Sequence, residues 1–191
     1  MKTPWTRCFA RAKVAIIRRK DVHLQAEQKP AGMEHLIITE GTKEERYAAL
    51  LPQIEALLEG EEDMIARMAN VAAAIHTTFG FWWTGFYRVA GGELVLGPFQ
   101  GPVACTRIAL GRGVCGTAWA TKKTQVVSDV DQFPGHIACS SASRSEIVVP
   151  LFRGAEVIGV LDIDSERLAT FDEVDRLWLE RLAALIPAGE R

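Results

Sequence analysis

Residues 146–164, EIVVPLFRGAEVIGVLDID, predict a β-hairpin around which the other elements of the chain can be arranged. Two runs rich in apolar and β-branched residues, 146–152 and 156–164, are separated by Arg153, Gly154 and Ala155. Runs of this length on both sides of a glycine-containing turn are typical of two antiparallel strands. The position of the turn then sets which residues of the two strands face each other.

The second strand of this hairpin carries two carboxylates. Because side chains alternate between the faces of a strand, Asp162 and Asp164 share one face. We expect Ile158 and Val160 to precede them on that face, so that the aspartates extend a buried stripe; the alternative is a solvent-exposed face. The hairpin register brings Glu146 close to them. Three converging carboxylates would favour a cationic ligand and hold at least one proton between them.

The segments outward from the hairpin predict further strands and helices. A capping box at Thr42 begins a helical pattern, and aromatic and β-branched residues indicate strands from residue 81 onward. The prediction is an α+β domain with a central antiparallel sheet of about six strands, flanked by N-terminal and C-terminal helices. The expected helices span about 43–60, 62–79, 114–121 and 173–187, and the other expected strands span 81–89, 93–96, 103–110 and 125–127.

The sequence also predicts local features of these helices, strands and loops. Pro52 should kink the first helix or split it in two. Residues 97–102, GPFQGP, should break the sheet, and residues 128–144 should form a long polar loop, which is usually functional in a compact domain. We expect Ile65 and Leu177 to face the core from their helices.

The composition is typical of a globular protein, with 48% of the 191 residues apolar and 24% charged. No stretch approaches the roughly 18 apolar residues of a membrane-spanning helix, so no membrane partner is expected. Residues 1–32 hold eight basic and two acidic residues, whereas residues 33–191 hold 14 basic and 22 acidic residues. The acidic main part argues against nucleic-acid binding, which requires a basic face.

This division of charge also suggests the domain organisation. We expect residues 33–187 to form one domain. Residues 1–32 are expected to be a basic arm, either a disordered tail or a segment that precedes a true start at Met33. The arm lacks the apolar core of a secretory signal and the serine enrichment of a transit peptide. The expected compartment is therefore the cytoplasm, where disulfides are mostly transient and catalytic or redox-sensing.

Three cysteines lie in polar, glycine-rich surroundings rather than in apolar runs: Cys105, Cys115 and Cys139. Such positions favour access and thiolate formation, which indicates a working dithiol. Together with His136 they could bind zinc, but no Cys-x₂-Cys pair is present and the spacing matches no common zinc ribbon. We therefore expect no metal ion and no other cofactor. Cys8, in the basic arm, receives no role.

Aromatic residues crowd the strand predicted over residues 81–89. Trp83 and Tyr87 share one face of it, whereas Phe86 points to the other face, where it is expected to pack in the core. An aromatic wall could hold a methyl or thioether group. Core packing of both residues is the alternative reading.

Taken together, these motifs resemble the free methionine-R-sulfoxide reductases, which are small GAF-domain enzymes. The resemblance covers about residues 33–187 and includes all three cysteines at the family's spacing. It implies a single GAF domain and reduction of free L-methionine-(R)-S-oxide to methionine. The matching segments are 81–87, 97–101, 111–118, 133–139, 145–150 and 159–165.

The resemblance also implies roles for the cysteines. Cys139 would be the catalytic nucleophile and Cys105 the resolving cysteine, with Cys115 a secondary or alternative thiol. The attacking thiol would become a sulfenic acid and then an intramolecular disulfide, which thioredoxin would reduce. The family commonly has aspartate after the catalytic cysteine, where this chain has Ser140. A homodimer is also plausible, because GAF domains often pair.

The remaining site residues follow from the same resemblance. Trp83 and Tyr87 would form the wall around the methylsulfinyl group. Glu146, Asp162 and Asp164 would be shared between the sulfoxide oxygen and the substrate ammonium. Two other functions stay open at this point: a GAF sensor that binds a small ligand without turnover, and a thiol redox switch that needs no carboxylates.

Overall fold

The computed structural model describes residues 36–135 and 142–187 of the chain. The predicted arm 1–32 with Cys8, and the predicted residues His136, Cys139 and Ser140, lie outside the described residues. Within them, no helix is long and apolar enough to cross a membrane. The helices are α1 (Lys43–Leu58), α2 (Met64–Phe79), α3 (Gly113–Thr121) and α4 (Glu173–Ala184), and the strands are β1 (Trp83–Ala90), β2 (Glu93–Gln100), β3 (Arg107–Ala109), β4 (Gln125–Val127), β5 (Ser145–Arg153) and β6 (Glu156–Ser165).

The strands form one six-stranded antiparallel sheet in the order β3-β2-β1-β6-β5-β4. The predicted α+β class and the number of strands are confirmed. The predicted hairpin is also confirmed, because β5 pairs with β6 and Ile147 lies opposite Ile163. Its two strands lie next to β1 and β4, so the hairpin is central to the sheet.

The two faces of the sheet carry different clusters. On one face, Phe86, Leu161 and Ile163 pack with buried residues of α1, α2 and α4 in the larger apolar core. On the opposite face, Tyr87 and Val160 pack with α3 in a smaller cluster. Side-chain alternation along the strands produces this division. The smaller cluster borders the candidate site.

Two β-bulges correct expectations drawn from the sequence. Residues 97–102 were expected to break the sheet, but β2 continues to Gln100 because Gly97 and Pro98 together lie opposite Phe86 in a bulge. A bulge accommodates proline because the extra residue makes no ladder hydrogen bond. A second bulge at Ile158 turns this side chain toward the helix-covered core, so its predicted place on the aspartate face was wrong.

The helices follow their predicted positions with local differences. The capping box of Thr42 and Glu45 begins α1 as predicted, but Pro52 does not split α1, which is continuous and held by buried residues before and after the proline. α2 ends at Gly80, whose φ of 67° is accessible to glycine at little cost. Ile65 and Leu177 are exposed, contrary to the predicted core faces.

A buried polar cluster joins the first helix to the last. Asp175 on α4 is completely buried, and it accepts a hydrogen bond of 2.9 Å from the Tyr47 hydroxyl. Lys43 Nζ lies 2.5 Å from Asp175 Oδ2 and 2.9 Å from Asp172 Oδ2. The same Asp175 carboxylate accepts the backbone N–H of Asp172 and so completes the α4 capping box. Lys43 therefore neutralises the buried Asp175 carboxylate and joins the N-terminal end of α1 to the N-terminal end of α4.

Replacing Lys43 by methionine should lower the free energy of unfolding by about 2–3 kcal/mol, because it leaves the Asp175 carboxylate buried without its cation. The measurement is chemical denaturation at neutral pH. The matched control is Lys123→Met at an exposed position, expected to change the free energy by less than about 0.5 kcal/mol. Equal effects of the two substitutions would contradict the assigned role of Lys43.

Candidate active site

The candidate site is a cleft on the sheet face opposite α1, α2 and α4. Its empty volume is about 590 Å³ when the open solvent at its mouth is counted. Strands β1, β5 and β6, the N-terminal end of α3 and residues 102–104 form its walls. The predicted residues that line it are Trp83, Tyr87, Cys115, Glu146, Asp162 and Asp164.

The hairpin register brings the three predicted carboxylates together. Glu146 on β5 lies directly opposite Asp164 on β6, and Asp162 is two residues away on the same face. Glu146 and Asp162 are each only 7% exposed, and Asp164 is half-buried. The three carboxyl groups therefore converge on one face of the sheet, as predicted from the sequence. The alternative of a solvent-exposed strand face is excluded.

Burial gives these carboxyl groups an unusual preference for the protonated form. Desolvation, with repulsion between the carboxylates, raises the pKa values of Glu146 and Asp162 well above their usual range. Desolvation also raises the pKa of Asp164, to about 6, although a hydrogen bond from the Ser143 hydroxyl opposes this shift. None of the ion pairs found in the described residues involves these three groups. The cluster therefore retains protons near neutral pH.

Cys115 lies against this cluster from α3. Its Sγ is 3.9 Å from Glu146 Oε1, and the side chain is 3% exposed. Burial and the nearby carboxylates raise the pKa of the Cys115 thiol well above its usual value. This environment keeps the thiol protonated, which is the opposite of the activation required of a nucleophile. Cys115 is a free thiol, whereas Cys105 is disulfide-bonded.

The aromatic wall consists of side chains held in fixed positions. The rings of Trp83 and Tyr87 are stacked with centroids 6.0 Å apart, and Phe99 stacks on Trp83 at 5.4 Å. Trp83 Nε1 donates a hydrogen bond of 3.1 Å to the Pro102 carbonyl. The Tyr87 hydroxyl donates one of 3.0 Å to the Cys105 carbonyl. The wall therefore also anchors the segment that carries Cys105.

The sequence interpretation missed two residues that shape the site. A Cβ atom at Gly85 would lie 2.4 Å from both the Trp83 ring and the Phe99 Cβ, so glycine is needed for this wall to pack. A glycine between aromatic residues of a predicted strand was the available signal. Ser143, which donates to Asp164, lies in the polar loop and had no distinguishing pattern.

One group of side chains could hold a metal ion. Ligand atoms of Cys115, Glu146 and Asp162 lie within 4.8 Å of one another. This group differs from the Cys/His set considered from the sequence, with which it shares only Cys115.

Comparison with known proteins identifies the family. Residues 59–187 match the family model of the GAF domain. The chain belongs to the GAF-domain family. GAF domain-containing protein A of Dictyostelium discoideum is 58% identical to it over 154 residues, which cover 80% of this chain and 98% of that protein. Free methionine-R-sulfoxide reductase of Escherichia coli is 48% identical over 143 residues, with 74% and 87% covered.

A solved structure resembles this GAF domain closely. It is the X-ray structure of free methionine-R-sulfoxide reductase from Neisseria meningitidis in complex with its substrate, at 55% identity and a TM-score of 0.79. The match covers 81% of this chain and 94% of the Neisseria chain. The resemblance to free methionine-R-sulfoxide reductases that the motifs indicated is thereby confirmed.

The raised pKa of Asp164 predicts a pH dependence of stability. The pKa of Asp164 is about 6 in the folded protein, whereas its usual value is 3.8. The folded state therefore binds this proton more tightly than the unfolded state does. The resulting stability is fully present below pH 3.8 and is lost as the pH rises through 6. The neutral variant Asp164→Asn escapes this loss. Its free energy of unfolding relative to wild type should therefore rise by about 2–3 kcal/mol between pH 4 and pH 8.

Chemical denaturation of both proteins across this pH range measures the difference. The non-ionisable control Leu177→Ala, at an exposed position, should show a difference from wild type that is constant with pH. A constant difference for Asp164→Asn as well would show that Asp164 titrates alike in the folded and unfolded protein, contrary to its burial.

Proposed function

We propose that this GAF domain reduces free L-methionine-(R)-S-oxide to L-methionine. The observation that carries the proposal is the meeting of an aromatic wall and three buried carboxyl groups in one cleft, beside the segment that carries Cys105. The reductases of Escherichia coli and Neisseria meningitidis, which are similar over most of this chain, support the same substrate.

The two sides of the cleft match the two ends of this substrate. Trp83 and Tyr87 offer flat apolar surfaces to the methylsulfinyl group. Within the cluster of Glu146, Asp162 and Asp164, the pKa of Asp164 is about 6, so this group is mostly ionised at neutral pH and its negative charge attracts the free ammonium group. A methionine sulfoxide within a peptide lacks that ammonium group. The enzyme should therefore act on the free amino acid.

The same cluster supplies the proton that the chemistry requires. The Cys139 thiolate attacks the sulfoxide sulfur and forms a sulfur–sulfur bond while the sulfoxide oxygen takes up a proton. This sulfur–sulfur bond and the sulfur–oxygen bond of the substrate then break as the hydroxyl group passes to Cys139, which leaves methionine and a cysteine sulfenic acid. A carboxylic acid must protonate that oxygen as it departs, and a raised pKa is what keeps the acid protonated near neutral pH. Glu146 and Asp164 are the two candidates for this donor.

A second thiol then completes the cycle. Cys105 condenses with the sulfenic acid of Cys139, which forms a disulfide and releases water. The pairing requires their Cα atoms to come within about 7 Å. The disulfide-bonded state of Cys105, together with the free thiol of Cys115, supports Cys105 rather than Cys115 as the resolving cysteine. Thioredoxin or a similar dithiol reduces the disulfide by exchange. We further propose a cytoplasmic enzyme, with a homodimer as its candidate assembly.

The test is NADPH consumption coupled to thioredoxin and thioredoxin reductase, with three substrates: the free R epimer, the free S epimer and the N-acetylated R epimer. Wild type should consume the free R epimer alone. Cys139→Ser should abolish this activity. Cys105→Ser should still produce one methionine per enzyme in a single turnover, but it should fail to cycle with thioredoxin.

Carboxylate variants separate this enzyme from a thiol switch. Glu146→Gln and Asp164→Asn are compared, and the one that removes the proton donor should lower kcat by about 100-fold or more while the titre of reactive thiols stays that of wild type. Folded, reduced wild type that turns over neither epimer would contradict the proposal and favour a ligand sensor. Equal turnover of the N-acetylated substrate would contradict the role of the ammonium group.

A further inference from the structure

We propose that Cys115, Glu146 and Asp162 form a binding site for a thiophilic divalent cation, of which Zn²⁺ is the physiological example, and that the bound cation closes the cleft to substrate. The first part concerns binding alone and stands without the proposed activity. The second part rests on the proposed function, because it requires that the carboxyl groups also hold the substrate ammonium.

The distances between the three ligand atoms are close to those of a metal centre. In a tetrahedral zinc site with one sulfur and two oxygen ligands, neighbouring ligand atoms lie about 3.4–3.6 Å apart. Here Cys115 Sγ is 3.9 Å from Glu146 Oε1, and all three ligand atoms lie within 4.8 Å of one another. Side-chain movements of about 1 Å or less would bring them to bonding distance.

An unpartnered atom points to a ligand at this position. Asp162 is 7% exposed, and its Oδ1 is buried without a hydrogen-bond partner in the described part of the chain. The Asp162 carboxyl group interacts with Cys115 and Glu146, but these interactions leave its Oδ1 atom without a partner. A buried carboxyl oxygen in this state is costly, since it has lost its hydration without replacement. A metal–oxygen bond would satisfy this atom.

The ligand types favour a soft cation over a hard one. Magnesium and calcium prefer oxygen ligands alone and six or more of them, whereas zinc accepts a thiolate with carboxylates and imidazoles. The deprotonated thiol and two carboxylates would carry three negative charges against the two positive charges of the ion. Cation binding therefore displaces the protons that the cluster otherwise holds.

The position of the cluster in the cleft explains why a bound cation would exclude the substrate. The three ligands belong to the cleft lining together with Trp83 and Tyr87, so a fourth coordination position would open toward the cleft. A cation there would engage the carboxyl oxygens of Glu146 and Asp162 that would otherwise contact the substrate ammonium group. Substrate and cation should consequently exclude each other.

The binding test uses the full chain with Cys8, Cys105 and Cys139 replaced by serine, which leaves Cys115 as the only thiol. Co²⁺ is the probe, because thiolate ligation gives it a charge-transfer absorption, and Zn²⁺ is then added to displace it. We expect one equivalent of Co²⁺ with this absorption. Asp162→Asn in the same background should weaken binding by at least about tenfold, as expected for the loss of one ligand.

The matched control is a chain whose only cysteine is Cys105, with Cys115 also replaced by serine. It should show no thiolate absorption at the same Co²⁺ concentration. If the triple variant does not fold, the Cys8→Ser protein takes its place, with the disulfide of Cys105 left intact. The absence of thiolate absorption in a folded Cys115 protein, or equal absorption in the Cys105 protein, would overturn the proposed site.

Competition is measured separately. Free L-methionine-(R)-S-oxide should displace Co²⁺ from the Cys115 protein, and Zn²⁺ should raise the KM of wild type at unchanged kcat. Cation binding in a protein that turns over no substrate would leave the metal site standing while the proposed function fails. Cation binding that substrate does not affect would overturn the mutual exclusion.

Discussion

The pairing of β5 with β6 is the constraint on which the candidate site depends. Its register sets Glu146 opposite Asp164, with Asp162 one step further along the same face. Backbone hydrogen bonds of the sheet thereby hold three carboxyl groups closer together than they would lie in a flexible loop. Since the groups are also shielded from water, retaining protons is the cheapest way to relieve their repulsion. The retention of protons by these carboxyl groups thus follows from strand register and burial.

The protein can carry this unfavourable cluster because the other face of the same strands is apolar. Leu161 and Ile163 alternate with the aspartates and are completely buried in the core formed with α1, α2 and α4. Residues that stabilise the sheet and residues that strain it are therefore neighbours in sequence but lie on opposite faces. The unfavourable burial of the carboxyl groups shifts their pKa values into the range needed for proton transfer, as is common where titratable groups meet in a cleft.

Much of the site could be predicted from sequence because it lies on regular strands. Alternation and a well-marked turn were enough to bring Glu146, Asp162 and Asp164 together and to pair Trp83 with Tyr87. The errors occurred where periodicity is interrupted, as at the bulge that turns Ile158 to the other face. Tertiary packing decided the rest: the buried setting of Cys115 on α3 and the orphaned Asp162 oxygen have no local signature in the sequence.

The central claim is that the carboxyl cluster holds a proton near neutral pH in the folded protein. The most direct measurement is a pH titration of the carboxyl carbons by NMR in protein labelled with ¹³C at aspartate and glutamate side chains, with assignments from Glu146→Gln, Asp162→Asn and Asp164→Asn. We predict that at least one of the three groups still carries its proton at pH 7, because the pKa values of Glu146 and Asp162 are raised well above their usual range. If all three groups are ionised at pH 7, the account of the site is wrong.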